Sequence, residues 1–134
     1  MSTVLDASIL ADILLFTPRG QRAAASIHPT ASDFHLPHLA DIETASVLRN
    51  LARGGLVAPD RAATALIDLR DFPAKRWPAT SFFERIWELR ENATTYDACY
   101  LALAEELDAK FVTADAKLAR GVAHIARCPI VLID

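Results

Sequence analysis

Short β-forming runs alternate along the chain with longer segments of helical periodicity, and this alternation restricts the possible fold more than any other sequence feature. The extended runs cover residues 2–5, 34–37, 75–77, 111–113 and 130–133, and the helical segments cover 7–16, 21–27, 38–53, 59–72, 81–90, 95–107 and 115–120. Such alternation is typical of a parallel or mainly parallel sheet with helices on both faces. The sequence therefore predicts a three-layer α/β/α fold.

Length and composition place the chain among compact globular domains. Its 134 residues fit one domain, and 52% apolar with 23% charged residues exclude a disordered chain. The early apolar run 9–16 is interrupted by Asp12, so neither a signal peptide nor a membrane span is expected. Cys99 and Cys128 are too far apart for a CxxC motif, which favours a reduced, cytoplasmic location.

Two aspartates stand just after the ends of predicted strands. Asp6 ends the first strand, and Asp115 comes two residues after the strand that ends at Thr113. The carboxyl ends of parallel strands share one edge of the sheet, and ligands bind along that edge. Each aspartate also has a structural alternative, because either could cap the helix that follows it. Asp97 has the same alternative, since it stands three residues after Thr94 in the spacing of a capping box.

Glu43 is the acid that a structural role explains least well. On a helix it shares one side with Leu39, Ser46, Val47 and Asn50, so its carboxylate belongs to a partly apolar face. Burying an ionised carboxylate is costly unless it meets a cation, a metal ion or a proton. In isolation, a salt bridge and a metal site explain Glu43 equally well.

Clustering of all four acids would favour a metal site over a structural role. Two like charges 4 Å apart repel by about 4 kcal/mol at an effective dielectric constant near 20, so packing alone would not gather four carboxylates. Oxygen-rich sites of this kind suit hard cations such as Mg²⁺ or Mn²⁺. The candidate ligands are Asp6, Glu43, Asp97 and Asp115.

Three motifs together resemble those of a known family. They are Val-Leu-Asp-Ala-Ser at residues 4–8, Asn-Ala-Thr-Thr-Tyr-Asp-Ala-Cys-Tyr-Leu-Ala-Leu-Ala-Glu at 92–105 and Phe-Val-Thr-Ala-Asp at 111–115, with the helical Glu43 between them. The sequence resembles PIN-domain ribonucleases, above all the VapC toxins of bacterial toxin–antitoxin modules. The resemblance covers nearly the whole chain from Val4 onward and is most specific over residues 95–105 and 113–115.

The resemblance implies an α/β/α nuclease domain with RNA as its substrate. It implies that Asp6, Glu43, Asp97 and Asp115 surround one or two Mg²⁺ or Mn²⁺ ions, and that the hydroxyl of Thr113 lies beside them. Ser8 and Asn92 are expected to support the acids through hydrogen bonds. Lys117 stands where some relatives have a further acid, which leaves a second metal position open. A VapB-like antitoxin and a homodimer packed through helices are also implied.

Net charge and two rival functions limit this interpretation. The chain carries a formal charge of −3, so RNA would have to be attracted by local basic groups such as Arg49, Arg76, Arg85 and Lys117. One rival is a phosphotransfer domain with a phosphorylated aspartate, although Ser8 stands where an Asp-x-Asp phosphatase has its second acid. The other is a catalytically inert domain that binds a protein or RNA, but such a domain usually lacks part of the acidic set.

Overall fold

The computed structural model describes residues 1–27 and 33–134. The described strands are β1 (Ser2–Leu5), β2 (Asp33–Pro37), β3 (Ala74–Trp77), β4 (Lys110–Thr113) and β5 (Ile130–Leu132). The described helices are α1 (Ala7–Leu14), α2 (Pro18–Ser26), α3 (His38–Arg53), α4 (Pro59–Asp71), α5 (Phe83–Glu88), α6 (Thr95–Glu106) and α7 (Ala116–Val122). A 3₁₀ turn at Thr80–Phe82 leads into α5. Of the described helices, none is both long enough and apolar enough to cross a lipid bilayer.

The five strands form one parallel sheet in the order β3-β2-β1-β4-β5. This confirms the predicted three-layer α/β/α fold with a parallel sheet. The chain moves outward from β1 through β2 to β3, then returns to the other side of β1 to place β4 and β5. The order therefore reverses between β1 and β4, and a crevice forms at the carboxyl ends of strands where this happens.

The helices form two groups, one on each face of the sheet. Right-handed crossovers require helices α1–α4, which connect β1, β2 and β3, to lie on the face opposite α5–α7. Helix α1 contacts α2, α3 and α4, helix α3 also contacts α4, and α5 packs against α6. Helix α6 crosses the centre of the sheet and contacts β1, β2 and β4. Side chains from α3 and α6 can therefore meet only around the edge of the sheet.

Burial of α6 on nearly all sides fixes its position. Every residue from Ala98 to Ala104 is buried, and Tyr100 and Leu103 are fully enclosed. Complete burial of a leucine side chain contributes about 1.5 to 3 kcal/mol. Because the helix is anchored in this way, Asp97 at its start is held at the carboxyl edge of the sheet.

The Thr-Pro-Arg-Gly sequence at residues 17–20 predicts a turn between the first two helical segments, and this prediction is wrong, because these residues include the start of a helix. The hydroxyl of Thr17 accepts a hydrogen bond from the Gly20 backbone amide, and Pro18 occupies the first helical position. Helix α1 ends at Leu14 rather than at Phe16, which adopts a positive φ of 56° in the connection. The α1–α2 connection is accordingly shorter than the sequence suggested.

The sequence also predicts Ser81 as the N-cap of the fifth helix, and this prediction is wrong. Ser81 lies inside the 3₁₀ turn, and α5 starts at Phe83 with no side-chain cap and ends at Glu88. Helix α3 spans the predicted residues, with Gly54 as its C-cap, and α4 begins at Pro59 as expected.

Candidate active site

A cavity of about 390 Å³ lies at the carboxyl edge of the sheet, where the strand order reverses. All four predicted acids line it, although they come from four separate parts of the chain. Its lining includes Asp6, Glu43, Asp97 and Asp115, together with Ser8 and Arg19. The fold therefore brings the four carboxylates into one solvent-accessible space.

Asp6 is positioned by the end of β1 and by the neighbouring strand. Its backbone amide donates to the Val112 carbonyl at 3.0 Å, which continues the pairing between β1 and β4 by one residue. Asp6 occupies the N-cap position of α1 but makes no capping hydrogen bond with its side chain. The side chain of Asp6 therefore does not cap α1, which was the structural alternative for this residue.

The buried hydroxyl of Thr113 links Asp6 to Asp115. Thr113 Oγ1 accepts a hydrogen bond from the Asp115 backbone amide at 3.0 Å and donates one to Asp6 Oδ2 at 2.7 Å. Because the amide hydrogen occupies the acceptor side of the hydroxyl, the hydroxyl proton is directed toward Asp6. Thr113 thus lies between two of the acids and orients the Asp6 carboxylate.

Glu43 is oriented by Tyr100, a residue that the sequence analysis did not assign to the site. The Tyr100 hydroxyl donates to Glu43 Oε1 at 2.7 Å, and Tyr100 is fully buried. Burial, followed by the hydrogen bond and charge of Glu43, raises the pKa of Tyr100 far above its usual value, so it remains a donor. On α6, Tyr100 follows Asp97 by three residues and lies on the same side of the helix. This spacing was the only feature of the sequence that could have placed Tyr100 near the acids.

Glu43 shares its helix face with other cavity residues, as its periodicity predicted. Ser46, Val47 and Asn50 on α3 line the same cavity. The interior side of α3 is instead formed by Ala40, Thr44 and Leu48.

Asp97 and Asp115 combine capping contacts with a place in the cavity wall. Asp115 Oδ1 accepts from the Leu118 amide at 3.0 Å and caps α7, so the structural alternative is realised for this acid. For α6 the cap is Thr94, whose hydroxyl accepts from the Asp97 amide at 3.1 Å. Capping by Asp115 and a role at the cavity are compatible, because one carboxylate has two oxygens.

Burial and neighbouring charges disfavour the ionised form of two of the cavity acids, Asp6 and Asp97. Burial, then the charges of Asp97 and Glu43, raise the pKa of Asp6 to about 6, although the Thr113 hydrogen bond opposes this rise. Burial and the charge of Asp115 also raise the pKa of Asp97, against a hydrogen bond from Thr94. A cation placed among these groups would stabilise their charged forms.

Carboxylate oxygens are the donor type that Mg²⁺ and Mn²⁺ prefer, so the chemistry of the cavity fits a hard divalent cation. Within residues 1–27 and 33–134, however, no three Asp, Glu, His or Cys side chains are arranged to hold one ion together. Hydrogen bonds from Thr113, Tyr100 and the α7 amide orient the acids individually. Joint coordination by three acids would require side-chain rotations toward the middle of the cavity.

The two other predicted supporting residues lie in different places. Ser8 lines the cavity. Asn92 lines a neighbouring cleft that shares the walls Asp97 and Asp115 with the cavity, and its amide lies near the Gly121 carbonyl and His124. Lys117 lines the same cleft.

Two of the arginines that were predicted to attract RNA have structural partners instead. Arg85 forms a largely buried ion pair with Glu105 at 2.7 Å, and Arg76 pairs with Asp41 at 3.0 Å. Among the described residues that line the acidic cavity, Arg19 is the only cation. Arg19 was not among the predicted site residues, because the Thr-Pro-Arg-Gly sequence at residues 17–20 suggested a turn away from the site.

Comparison with known proteins identifies the same family that the motifs resemble. The family model described as PIN domain matches residues 3–123. Ribonuclease VapC9 of Mycobacterium tuberculosis is 39% identical over 130 residues, which cover 97% of this chain and 97% of that protein.

Solved structures share the fold at much lower sequence identity. VapBC2 from Rickettsia felis, bound to a DNA fragment from its promoter, matches with a TM-score of 0.70 and 11% identity, over 100% of both chains. A toxin–antitoxin complex from Klebsiella pneumoniae matches with a TM-score of 0.63 and 17% identity, over 96% of this chain and 95% of the other. These structural similarities extend across almost the whole fold.

Proposed function

This chain belongs to the PIN-domain family, and we propose that it is a metal-dependent endoribonuclease, the toxin of a VapBC-type toxin–antitoxin pair. The observation that carries the proposal is the single cavity lined by Asp6, Glu43, Asp97 and Asp115 at the reversal of strand order. The ribonuclease activity named for VapC9, at 39% identity over nearly the full length, supports RNA as the substrate.

In this proposal the four carboxylates would hold Mg²⁺ or Mn²⁺. Such an ion supplies a nucleophile from water at neutral pH and offsets negative charge on the phosphate. Thr113 holds one oxygen of Asp6 in place, and Tyr100 does the same for Glu43. Both donors keep a carboxylate oriented without a change of their own protonation state. Ser8 lines the cavity and offers a further hydroxyl to the substrate or to the acids.

The two rival functions have less support. A phosphorylated aspartate would need Asp6 to act as a nucleophile, but Thr113 binds Asp6 Oδ2 and the adjacent position 8 carries a serine rather than a second acid. An inert binding domain would not need four carboxylates in one cavity, where burial and the charges of neighbouring acids raise the pKa of Asp6 and of Asp97. Family membership favours the ribonuclease over both.

Protein partners are the second part of the proposal. The Klebsiella pneumoniae neighbour is a toxin–antitoxin complex, which supports a VapB-like antitoxin for this chain. Exposed apolar side chains on α3 and α4, namely Ile42, Leu66 and Ile67, support a helix-packed homodimer, and Phe83 and Trp87 on α5 offer a second apolar surface. Both cysteines are free thiols, which suits a protein that acts on RNA in the cytoplasm.

A cleavage assay tests the enzymatic proposal. Purified protein is incubated with total cellular RNA and Mg²⁺ or Mn²⁺, and new 5′ ends are sequenced. We expect discrete cuts that excess EDTA abolishes and that Asp97→Asn removes. Asp68→Asn, an exposed aspartate on α4, is the matched control and should cut normally.

Two results would contradict the proposal. Cutting that persists in Asp97→Asn and in EDTA would exclude these acids and a metal ion from the reaction. A stable acyl phosphate on Asp6 after incubation with a phosphate donor, without RNA cleavage, would favour phosphotransfer instead.

A further inference from the structure

Arg19 lies in the wall of the acidic cavity but does not neutralise the acids. It lines the cavity with Asp6, Glu43, Asp97 and Asp115, yet its ion pair is with Asp12 on α1. In the described part of the chain, no ion pair joins Arg19 to any of the four acids. A cation beside carboxylates would normally pair with them, so the position of this guanidinium needs another explanation.

Close contact between α1 and α2 fixes the backbone beside Arg19. A Cβ atom on Gly20 would lie 2.1 Å from the Asp12 carbonyl oxygen and 2.7 Å from the Ile13 nitrogen, so only glycine permits this approach. Thr17 caps α2 and also donates to Asp12 Oδ1 at 2.9 Å. The start of α2 is thereby held against α1, the helix that follows Asp6.

Asp12 holds the Arg19 side chain by one nitrogen only. Its Oδ2 accepts from Arg19 Nε at 2.6 Å, while Oδ1 is occupied by Thr17. Among the described residues, the two Nη groups of Arg19 have no hydrogen-bond acceptor in the protein. The Arg19 side chain remains 40% exposed. A guanidinium held by Nε keeps a pair of N–H donors oriented for an anion, and arginine binds phosphate through such paired donors.

We propose that Arg19 binds an RNA phosphate that flanks the one being cut, and that Asp12 orients it for this contact. This inference rests on the proposed ribonuclease function and adds a substrate-binding residue to it. The acids repel RNA, so a cation at their border supplies attraction where the backbone enters the cavity. A contact to a flanking phosphate is the same before and during cutting, so it should lower KM and leave kcat unchanged.

Binding and cleavage are measured separately. In the Asp6→Asn background, anisotropy of a fluorescein-labelled single-stranded RNA of random sequence gives Kd at fixed Mg²⁺ and increasing KCl. Arg19→Gln should weaken binding about tenfold and reduce the slope of log Kd against log salt by about 0.7. Arg19→Lys should keep the slope but bind more weakly, because it keeps the charge without the paired donors. Asp12→Asn should behave in the same way, because Arg19 keeps its charge but loses its orientation.

Arg22→Gln is the matched control, since Arg22 lies one turn later on α2, is exposed and contacts the Asp134 carbonyl rather than the cavity. It should keep the affinity and slope of the parent protein. In the otherwise native chain, Arg19→Gln should raise KM about tenfold with kcat unchanged, measured on the RNA whose cut site 5′-end sequencing defines.

Failure of this inference differs from failure of the proposed function. If the native chain cuts RNA but Arg19→Gln keeps the affinity, salt slope and KM, the role of Arg19 is refuted and the nuclease stands. A lower kcat with unchanged KM would also refute it, because Arg19 would then act on the cutting step. If the native chain neither binds nor cuts RNA with Mg²⁺ or Mn²⁺, both proposals fail together.

Discussion

Replacing Asp6 by asparagine should stabilise the metal-free protein at neutral pH. Burial and two neighbouring carboxylates raise the pKa of Asp6 from 3.8 to about 6, so its ionised form is disfavoured in the folded state. At 1.36 kcal/mol per pKa unit, this rise corresponds to about 3 kcal/mol of lost stability once Asp6 is ionised. Asparagine has a similar shape, carries no charge and still offers an oxygen to the Thr113 hydroxyl.

The pH dependence of this effect has a definite sign. Because the folded-state pKa is raised, the favourable contribution of protonated Asp6 is complete below about pH 4 and is lost as pH rises through about 6. Urea unfolding in EDTA should therefore show Asp6→Asn more stable by about 3 kcal/mol at pH 7.5 and nearly equal at pH 3.5. Asp68→Asn, the exposed control on α4, should change stability by less than about 0.5 kcal/mol at either pH. Equal or lower stability of Asp6→Asn at pH 7.5 would refute the electrostatic reasoning and favour a capping role.

Mg²⁺ at about one hundred times its Kd should stabilise the native chain by about 2.7 kcal/mol in thermal melts. Mg²⁺ should stabilise Asp6→Asn far less. Equal stabilisation of both proteins would place the ion elsewhere. Tyr100→Phe should cost about 1.5 kcal/mol in urea unfolding and reduce RNA cutting, because Glu43 loses its buried donor. An unchanged cutting rate would remove Tyr100 from the site. Thr113→Val, which deletes the hydroxyl between Asp115 and Asp6, should cost about 2 kcal/mol, and Thr113→Ser should recover most of that loss. Equal loss in both variants would attribute the effect to packing.

The fold and the meeting of Asp6 and Asp115 at one edge of the sheet followed from local sequence patterns, whereas the expectation that Glu43 and Asp97 join them came from the family resemblance. Strand–helix alternation was sufficient to predict a parallel sheet, and acids placed after β1 and β4 had to meet at one edge of that sheet. Helical periodicity correctly grouped Glu43 with Ser46, Val47 and Asn50 on the cavity face of α3. In each case the prediction depended on the type and order of residues within single strands and helices, and not on contacts between distant segments.

Contacts between distant segments could not be predicted in this way. Tyr100 and Glu43 are 57 residues apart, and nothing in either segment specifies the other as its partner. Arg19 was missed because its Thr-Pro-Arg-Gly sequence was expected to form a turn. The same Thr-Pro pair can also begin a helix, and in the structure Thr17 caps α2 and Pro18 is its first residue. The tight α1–α2 contact at Gly20 is a tertiary feature that decides between these two structures.

Binding of Mn²⁺ measured by electron paramagnetic resonance tests the central claim most directly, because free and bound Mn²⁺ give different signals without any RNA. The four carboxylates of the cavity are expected to bind one or two ions in the native chain, and Asp6→Asn and Asp97→Asn should each remove or greatly weaken that binding. The exposed control Asp68→Asn should bind as the native chain does. Undiminished Mn²⁺ binding in both cavity variants, or no binding by the native chain, would contradict the assignment of these acids as the metal site.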